Sequence, residues 1–244
     1  MGEGHWAHPL FLCGRVVYTF ACRLSCIIYR TEEGGRIVRG CSSYNRVVIG
    51  LGGDCSVAYQ IRRLGLRQAA YPLDWFAMPD AGLTASLIQS NFSSFMERDN
   101  LDILGITDNG LYYHVVDRKW NCHSFHDFPI VEGESPLYNY ELYYQTLQKR
   151  IRRFLDDLRM DKPVTLIRMG YEHQDIPILE NAITTARQFP FELLLIKESH
   201  ACKQPELIAK HKSTLQYLMP TGPSWYGNDD AWVKLACEVL LIEE

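Results

Sequence analysis

Arg46-Val47-Val48-Ile49-Gly50-Leu51-Gly52-Gly53-Asp54-Cys55-Ser56-Val57-Ala58-Tyr59-Gln60-Ile61 holds a whole folding unit in one line of sequence. Val47-Val48-Ile49 is a β-branched run too short for a helix, and Gly50, Gly52 and Gly53 end it in a tight turn. A helix is expected from about Cys55. Val57, Ala58, Ile61 and Leu64 then share one apolar face, Asp54 caps the start and Gly65 supplies the stop. Strand, glycine turn and helix in that order are the building unit of an α/β protein.

The same alternation returns in the last third of the chain. Val164–Arg168 reads as a strand, Pro177–Gln188 as a helix, Phe191–Ile196 as a strand, Leu215–Met219 as another and Asp229–Leu241 as a closing helix with Trp232 and Leu235 inside. Between the two regions, helices are expected over 80–97 and over Tyr138–Leu158. Short strands are expected at Leu111–Val116 and Ser124–Phe128. The fold class is therefore α/β, a mostly parallel sheet flanked by helices on both faces. Residues 45–244 are expected to form a single domain. Residues 1–44, with four of the eight cysteines and a loop-like Glu32-Glu33-Gly34-Gly35, form an extension of uncertain order.

Composition narrows the function classes. The 244 residues are 47% hydrophobic and 22% charged, enough to bury a large core without disulfides or metal. A net charge of −4 gives no general attraction to nucleic acid or acidic lipid. The basic run Lys149–Arg153 has no interleaved aromatic platform, so no nucleic-acid partner is expected. The irregular cysteine spacing suits a reducing compartment. No apolar run is long enough to span a membrane. The apolar stretch His8–Tyr29 is broken by Arg15 and Arg23 and lacks the layout of a signal peptide, so a cytoplasmic location is expected.

The glycine turn also presents chemistry. A helix N-terminus leaves amide N–H groups unpaired and carries partial positive charge, which favours a thiolate there. Cys55 is the candidate nucleophile, with the backbone amides of Asp54 and Ser56 as oxyanion donors and Gly52 and Gly53 allowing close approach of a substrate. A phosphatase loop needs an arginine six positions after the cysteine, where Ile61 stands, and no Gly-Lys-Ser/Thr follows the glycines for a phosphate loop.

A thiol nucleophile needs a base. Among the eight histidines, His126 stands out in Phe125-His126-Asp127-Phe128, where aromatic flanks indicate a half-buried strand. Asp127 could orient it only if the chain bends, because strand neighbours point to opposite faces. Asp74, beside Trp75, is the other carboxylate, with turn capping as its alternative role. Cys122, His123 and His126 lack a second cluster at matching spacing, so no metal is expected, and no cofactor is implied.

Taken together, Val48–Gln60, Arg62–Arg67, Tyr71-Pro72-Leu73-Asp74-Trp75, Phe125-His126-Asp127-Phe128, Arg152-Arg153-Phe154 and Ile167-Arg168 resemble, in order, the landmarks of a bacterial family of unknown function catalogued as papain-like cysteine peptidases. The resemblance covers about residues 45–240. It implies a Cys–His catalytic pair, mapping to Cys55 and His126, and a peptide, protein or other acyl-bearing substrate. It also implies a papain-like α+β fold as the alternative architecture, although the strand–helix alternation of the last third fits a layered α/β fold better.

The leading expectation is a cysteine-dependent hydrolase or acyltransferase acting on an amide or ester carbonyl, with Trp75, Arg62 and Arg168 in the substrate cleft. A second is a non-catalytic domain that binds a phosphorylated or anionic small molecule at the glycine turn, using Arg62, Arg67 and Arg168. A third is a partner-binding protein that uses the aromatic surfaces around Trp225-Tyr226 and Tyr138–Tyr144.

Overall fold

The computed structural model describes residues 46–240 and, before them, the backbone of four short strands: β1 (Leu10–Leu12), β2 (Arg15–Val17), β3 (Ile27–Arg30) and β4 (Arg36–Arg39). β1 pairs with β2 and β3 with β4, both antiparallel. The extension expected over residues 1–44 otherwise lies outside the described residues, as does Leu241, the expected end of the last helix.

The main sheet is built from β5 (Val47–Gly50), β10 (Val164–Met169), β11 (Phe191–Ser199), β12 (Glu206–His211) and β13 (Thr214–Pro220), in the order β12-β13-β11-β10-β5. β5, β10, β11 and β13 run parallel, and only β12 is antiparallel. Parallel strands need both faces covered, and their sequences show it: all six residues of β10 are buried. Alternate side chains serve two separate cores. Val47, Ile49, Leu166 and Leu195 face α2 (Ala81–Gln89), α3 (Tyr140–Arg159) and α4 (Asp175–Ala186). Val48, Ile167, Leu194 and Ile196 face α1 (Ser56–Arg63) and α5 (Asp229–Leu235), which runs on into one π-helical turn at Ala236–Leu240. The expected helices on both faces are therefore present.

Between α1 and α3 the chain leaves this sheet to make a second, wholly antiparallel one. Its strands are β6 (Phe76–Ala77), β7 (Leu101–Ile106), β8 (Tyr113–Asp117) and β9 (Cys122–Ser124), in the order β6-β9-β8-β7. The architecture is mixed α/β: a mostly parallel sheet with an antiparallel sheet inserted beside it.

Two elements differ from expectation. The helix expected over 80–97 stops at Gln89, and Asn91, Phe92, Ser94 and Met96 all take positive φ between 52° and 61°. These turns bury Phe92, Phe95 and Met96, a result that helical spacing imitates in the sequence, and Asp117 Oδ2 locks them by accepting from the Met96 amide at 2.6 Å. The strand expected at Ser124–Phe128 ends at Ser124, because its hydroxyl donates to Asp127 Oδ2 at 2.6 Å and the chain bends. His126 thus sits on an exposed bend, not on a half-buried strand.

Candidate active site

The site begins where β5 ends. Leu51 N–H still donates to Ile167 O, and the glycine turn then ties two neighbouring segments to β5: Met169 N–H donates to Gly52 O (3.3 Å) and Met78 N–H to Gly53 O (3.1 Å). Gly53 has φ +95°, and a Cβ there would lie 1.8 Å from Met169 O. The close approach that requires glycine at 53 is thus made to the chain's own β10, and neither Gly52 nor Gly53, both expected in the cleft, is among the residues lining the cavity.

The N-cap position expected for Asp54 falls to Cys55, and Asp54 stands one residue before it but still reaches the first turn of α1. Its Oδ1 accepts from the Ser56 amide at 2.8 Å and also from the Ser56 hydroxyl. The Ser56 N–H, expected to be an oxyanion donor, is therefore already engaged. The helix N-terminus holds a carboxylate supplied by the preceding turn.

Cys55 occupies the N-cap position of α1 and is half-buried. Its Sγ donates to the Trp75 carbonyl at 3.3 Å, and Trp75 is held at φ 69°, a left-handed conformation that bulky residues rarely adopt. Burial pushes the Cys55 thiol up to about 12, helped by the negative charges of Asp54 and then Asp127. This reverses the expected depression. A helix N-terminus offers only partial charge, and here desolvation and a full carboxylate one residue away outweigh it. The resting group is a neutral thiol.

His126 is solvent-exposed, and its ring packs edge-on against Trp75 (centroids 5.9 Å) and Tyr112 (6.0 Å). Cys55 and His126 open into one cavity of about 470 Å³, so the two residues that sequence could only name separately share a cleft. Trp75 joins them, touching the thiol through its carbonyl and the imidazole through its ring. Asp54, the β7–β8 turn from Ile106 to Asn109, and Trp225 complete much of the wall. The cavity lies past the carboxyl end of β5, the usual position for ligands in open α/β sheets.

The carboxylates divide. Asp127, with burial raising its pKa, accepts from the Ser124 hydroxyl and is drawn back down by the charges of Arg150 and His126. Asp74 spends Oδ2 on the Tyr71 amide (3.0 Å) and Arg67 Nη2 (2.9 Å). It holds the turn that carries Trp75 and makes its bonds away from His126. Arg168, expected in the cleft, is fully buried. Its guanidinium donates to the carbonyls of Leu51, Met78, Pro79 and Gly170 and to Thr84 Oγ1. Arg62 lies on the exposed side of α1 and does not line the cavity.

Sequence reading passed over one feature. His114, in the cavity wall, has Nε2 2.9 Å from His123 Nδ1 and stacks on Phe125 with centroids 4.4 Å apart. Burial lowers the pKa of both histidines. The period-two spacing of His123 and Phe125 brings their rings to one side (centroids 6.3 Å), but their partner on β8 is a tertiary fact. Among the described residues, no group of three or more His, Cys, Asp or Glu side chains is placed to hold a metal ion, and Cys55, Cys122 and Cys202 are free thiols. No helix among them is long and apolar enough to cross a membrane.

Comparison with known proteins adds a family. Residues 46–201, well over half of the chain, match the family described as "Putative papain-like cysteine peptidase (DUF1796)". The chain is also 29% identical over 127 residues to "Uncharacterized protein R408" of Acanthamoeba polyphaga mimivirus; the match covers 46% of this chain and 55% of that protein. The chain thus spans about half the length of this curated relative, and a viral relative lends no support to the expected bacterial character. No solved structure matches, so the papain-like architecture gains no support from that side.

Proposed function

The chain belongs to that family of cysteine-peptidase-like proteins, and from this premise we propose that it is a cysteine-dependent hydrolase or acyltransferase that cleaves amide or ester bonds of peptides or proteins. Cys55 is the nucleophile and His126 its base. The observation that carries this reading is the shared cavity at the carboxyl end of β5.

The raised thiol pKa selects the order of events. A neutral Cys55 must lose its proton as it attacks, so His126 acts as a general base rather than as half of a standing ion pair. The Sγ–carbon bond forms while the proton passes to His126. His126 then returns that proton to the departing amine or alcohol as the carbon–nitrogen or carbon–oxygen bond breaks. Water, deprotonated by the same imidazole, or an acceptor nucleophile releases the thioester. The Asp127 charge stabilises the imidazolium in between. At the α1 N-terminus, the Asp54 carboxylate occupies the resting position of the oxyanion, and the Ser56 amide exchanges it for the substrate oxygen. Asp74 acts at one remove, by fixing the Trp75 turn.

The anion-binding alternative has no observation in its favour. The helix N-terminus is filled by Asp54, Arg67 is paired with Asp74 and Arg168 is spent on backbone.

A peptidyl vinyl sulfone, read by intact-protein mass spectrometry at pH 7, tests the proposal. One adduct at Cys55 is expected, with a rate about 100-fold lower in His126→Ala, in line with the loss of a general base. Equal labelling of His126→Ala, or an adduct at Cys202 or Cys237 instead, overturns it.

A further inference from the structure

The β7–β8 hairpin, which gives Ile106 to the cavity wall, has an unusually apolar surface. Ile103 (43% exposed), Leu104 (54%) and Ile106 (60%) lie on β7, and Leu111 (59%) follows the turn beyond it. Four large aliphatic side chains on one hairpin exceed what scattered surface residues explain and mark an interaction site. β7 is also the outer strand of its sheet. Among the described residues it pairs only with β8, so alternate N–H and C=O groups on its far side have no ladder partner. A Cβ placed on Gly105 meets nothing within 4 Å, so the sheet face at the middle of that strand is uncovered as well. The strand runs directly into the active cavity, whose wall includes Ile106, Thr107, Asp108 and Asn109.

We infer that β7 is the substrate-docking edge: an extended peptide segment with apolar side chains adds to it as a further strand and is delivered along it to Cys55. This rests on the reading of Cys55 as nucleophile and goes on to name the substrate's form. Main-chain hydrogen bonds to β7 supply affinity, and Leu104, Ile106 and Leu111 select aliphatic side chains. Asp54 and Asp108 in the cavity wall disfavour acidic residues next to the scissile bond. The occupant is a substrate and not a second copy of the chain for a local reason. The register breaks between Ile103 and Gly105, leaving Leu104 bulged. A bulge shortens the ladder an incoming strand can make and deters permanent edge pairing, while a brief substrate complex tolerates it.

The experiment uses the full chain as Cys55→Ala, so that no chemistry intervenes, with the probe acetyl-Lys-Leu-Val-Leu-Val-Lys-amide. Hydrogen exchange across 101–106 is expected to slow when the probe binds. The same probe with alternate backbone N-methyl groups is expected to bind about tenfold more weakly, the scale of one or two lost backbone hydrogen bonds. Leu104→Lys is expected to weaken the parent probe to a similar degree, and Ile103→Lys repeats the test at a second exposed position. Equal binding of the N-methylated probe, no slowing of exchange at β7, or concentration-dependent dimers that Leu104→Lys dissolves each overturn the inference. The two readings fail separately. Probe docking on β7 with no vinyl sulfone adduct at Cys55 sinks the catalytic assignment alone, and an adduct at Cys55 without docking on β7 sinks the edge alone.

Discussion

At the scale of single residues, the chemistry of Cys55 is governed by what surrounds it more than by where it sits on the helix. Its neutral thiol is held by burial first and by Asp54 second. With a pKa of about 12 against an ordinary value of 9.0, iodoacetamide is expected to alkylate Cys55 about a thousandfold more slowly than an ordinary thiol at pH 7. Asp54→Asn keeps an acceptor for the Ser56 amide but removes the charge, so it should speed alkylation, as pH-dependent rates will show. Asp127 carries a linked prediction. Its folded pKa is raised, so its contribution to stability is present below the unfolded carboxylate pKa and is lost as pH rises through the folded value. Asp127→Asn is therefore expected to raise the urea midpoint at pH 7. This advantage should fade as pH falls through the raised folded value and be gone below the ordinary carboxylate value of 3.8, where the parent side chain is neutral in both states. Alkylation of Cys55 should also quicken in Asp127→Asn, through loss of the second charge.

At the scale of elements, backbone packing decides how the site is held. Gly53→Ala forces a Cβ onto the Met169 carbonyl at a positive φ and is expected to destabilise the protein by about 3 kcal/mol or more, measured by urea unfolding. Arg168→Met leaves carbonyls of three segments without their donor and is expected to cost a similar amount, about 3 kcal/mol. A substrate-binding arginine would instead change ligand affinity and leave the unfolding curve in place. Here the sequence proved legible in one way and not in another. Val47–Gly50, the Gly65 stop, α3 and the parallel strands could be named because each is written in local periodicity and punctuation. The joining of Cys55 to His126 could not, since it depends on a bend set by one Ser124–Asp127 hydrogen bond. Arg168 looked like a ligand because a buried arginine and a substrate-binding arginine are spelled alike. β7 and β12 went unnoticed because exposed edge strands lack a hydrophobic alternation that points inward.

At the scale of the whole molecule, stability should be unevenly distributed. β10 is buried throughout and β11 at Leu193–Ile196, both in the middle of the main sheet, whereas β7 is exposed over most of its length. Hydrogen exchange followed by mass spectrometry is expected to find β10 and β11 opening only with global unfolding and the outer amides of β7 exchanging orders of magnitude sooner. The low-stability edge is then the one beside the cavity, where a substrate strand can be accepted and released.

The inserted antiparallel sheet has one more consequence, in the timing of synthesis. A ribosome releases Cys55 well before the segments that enclose it: among the described residues β5, which leads into it, pairs only with β10, more than a hundred residues later. The cavity wall is finished only when Trp225 has emerged. A nascent or prematurely terminated chain therefore carries the thiol without the cavity that encloses it. Translation order itself leaves Cys55 outside any enclosed cavity until nearly the whole described chain has been made.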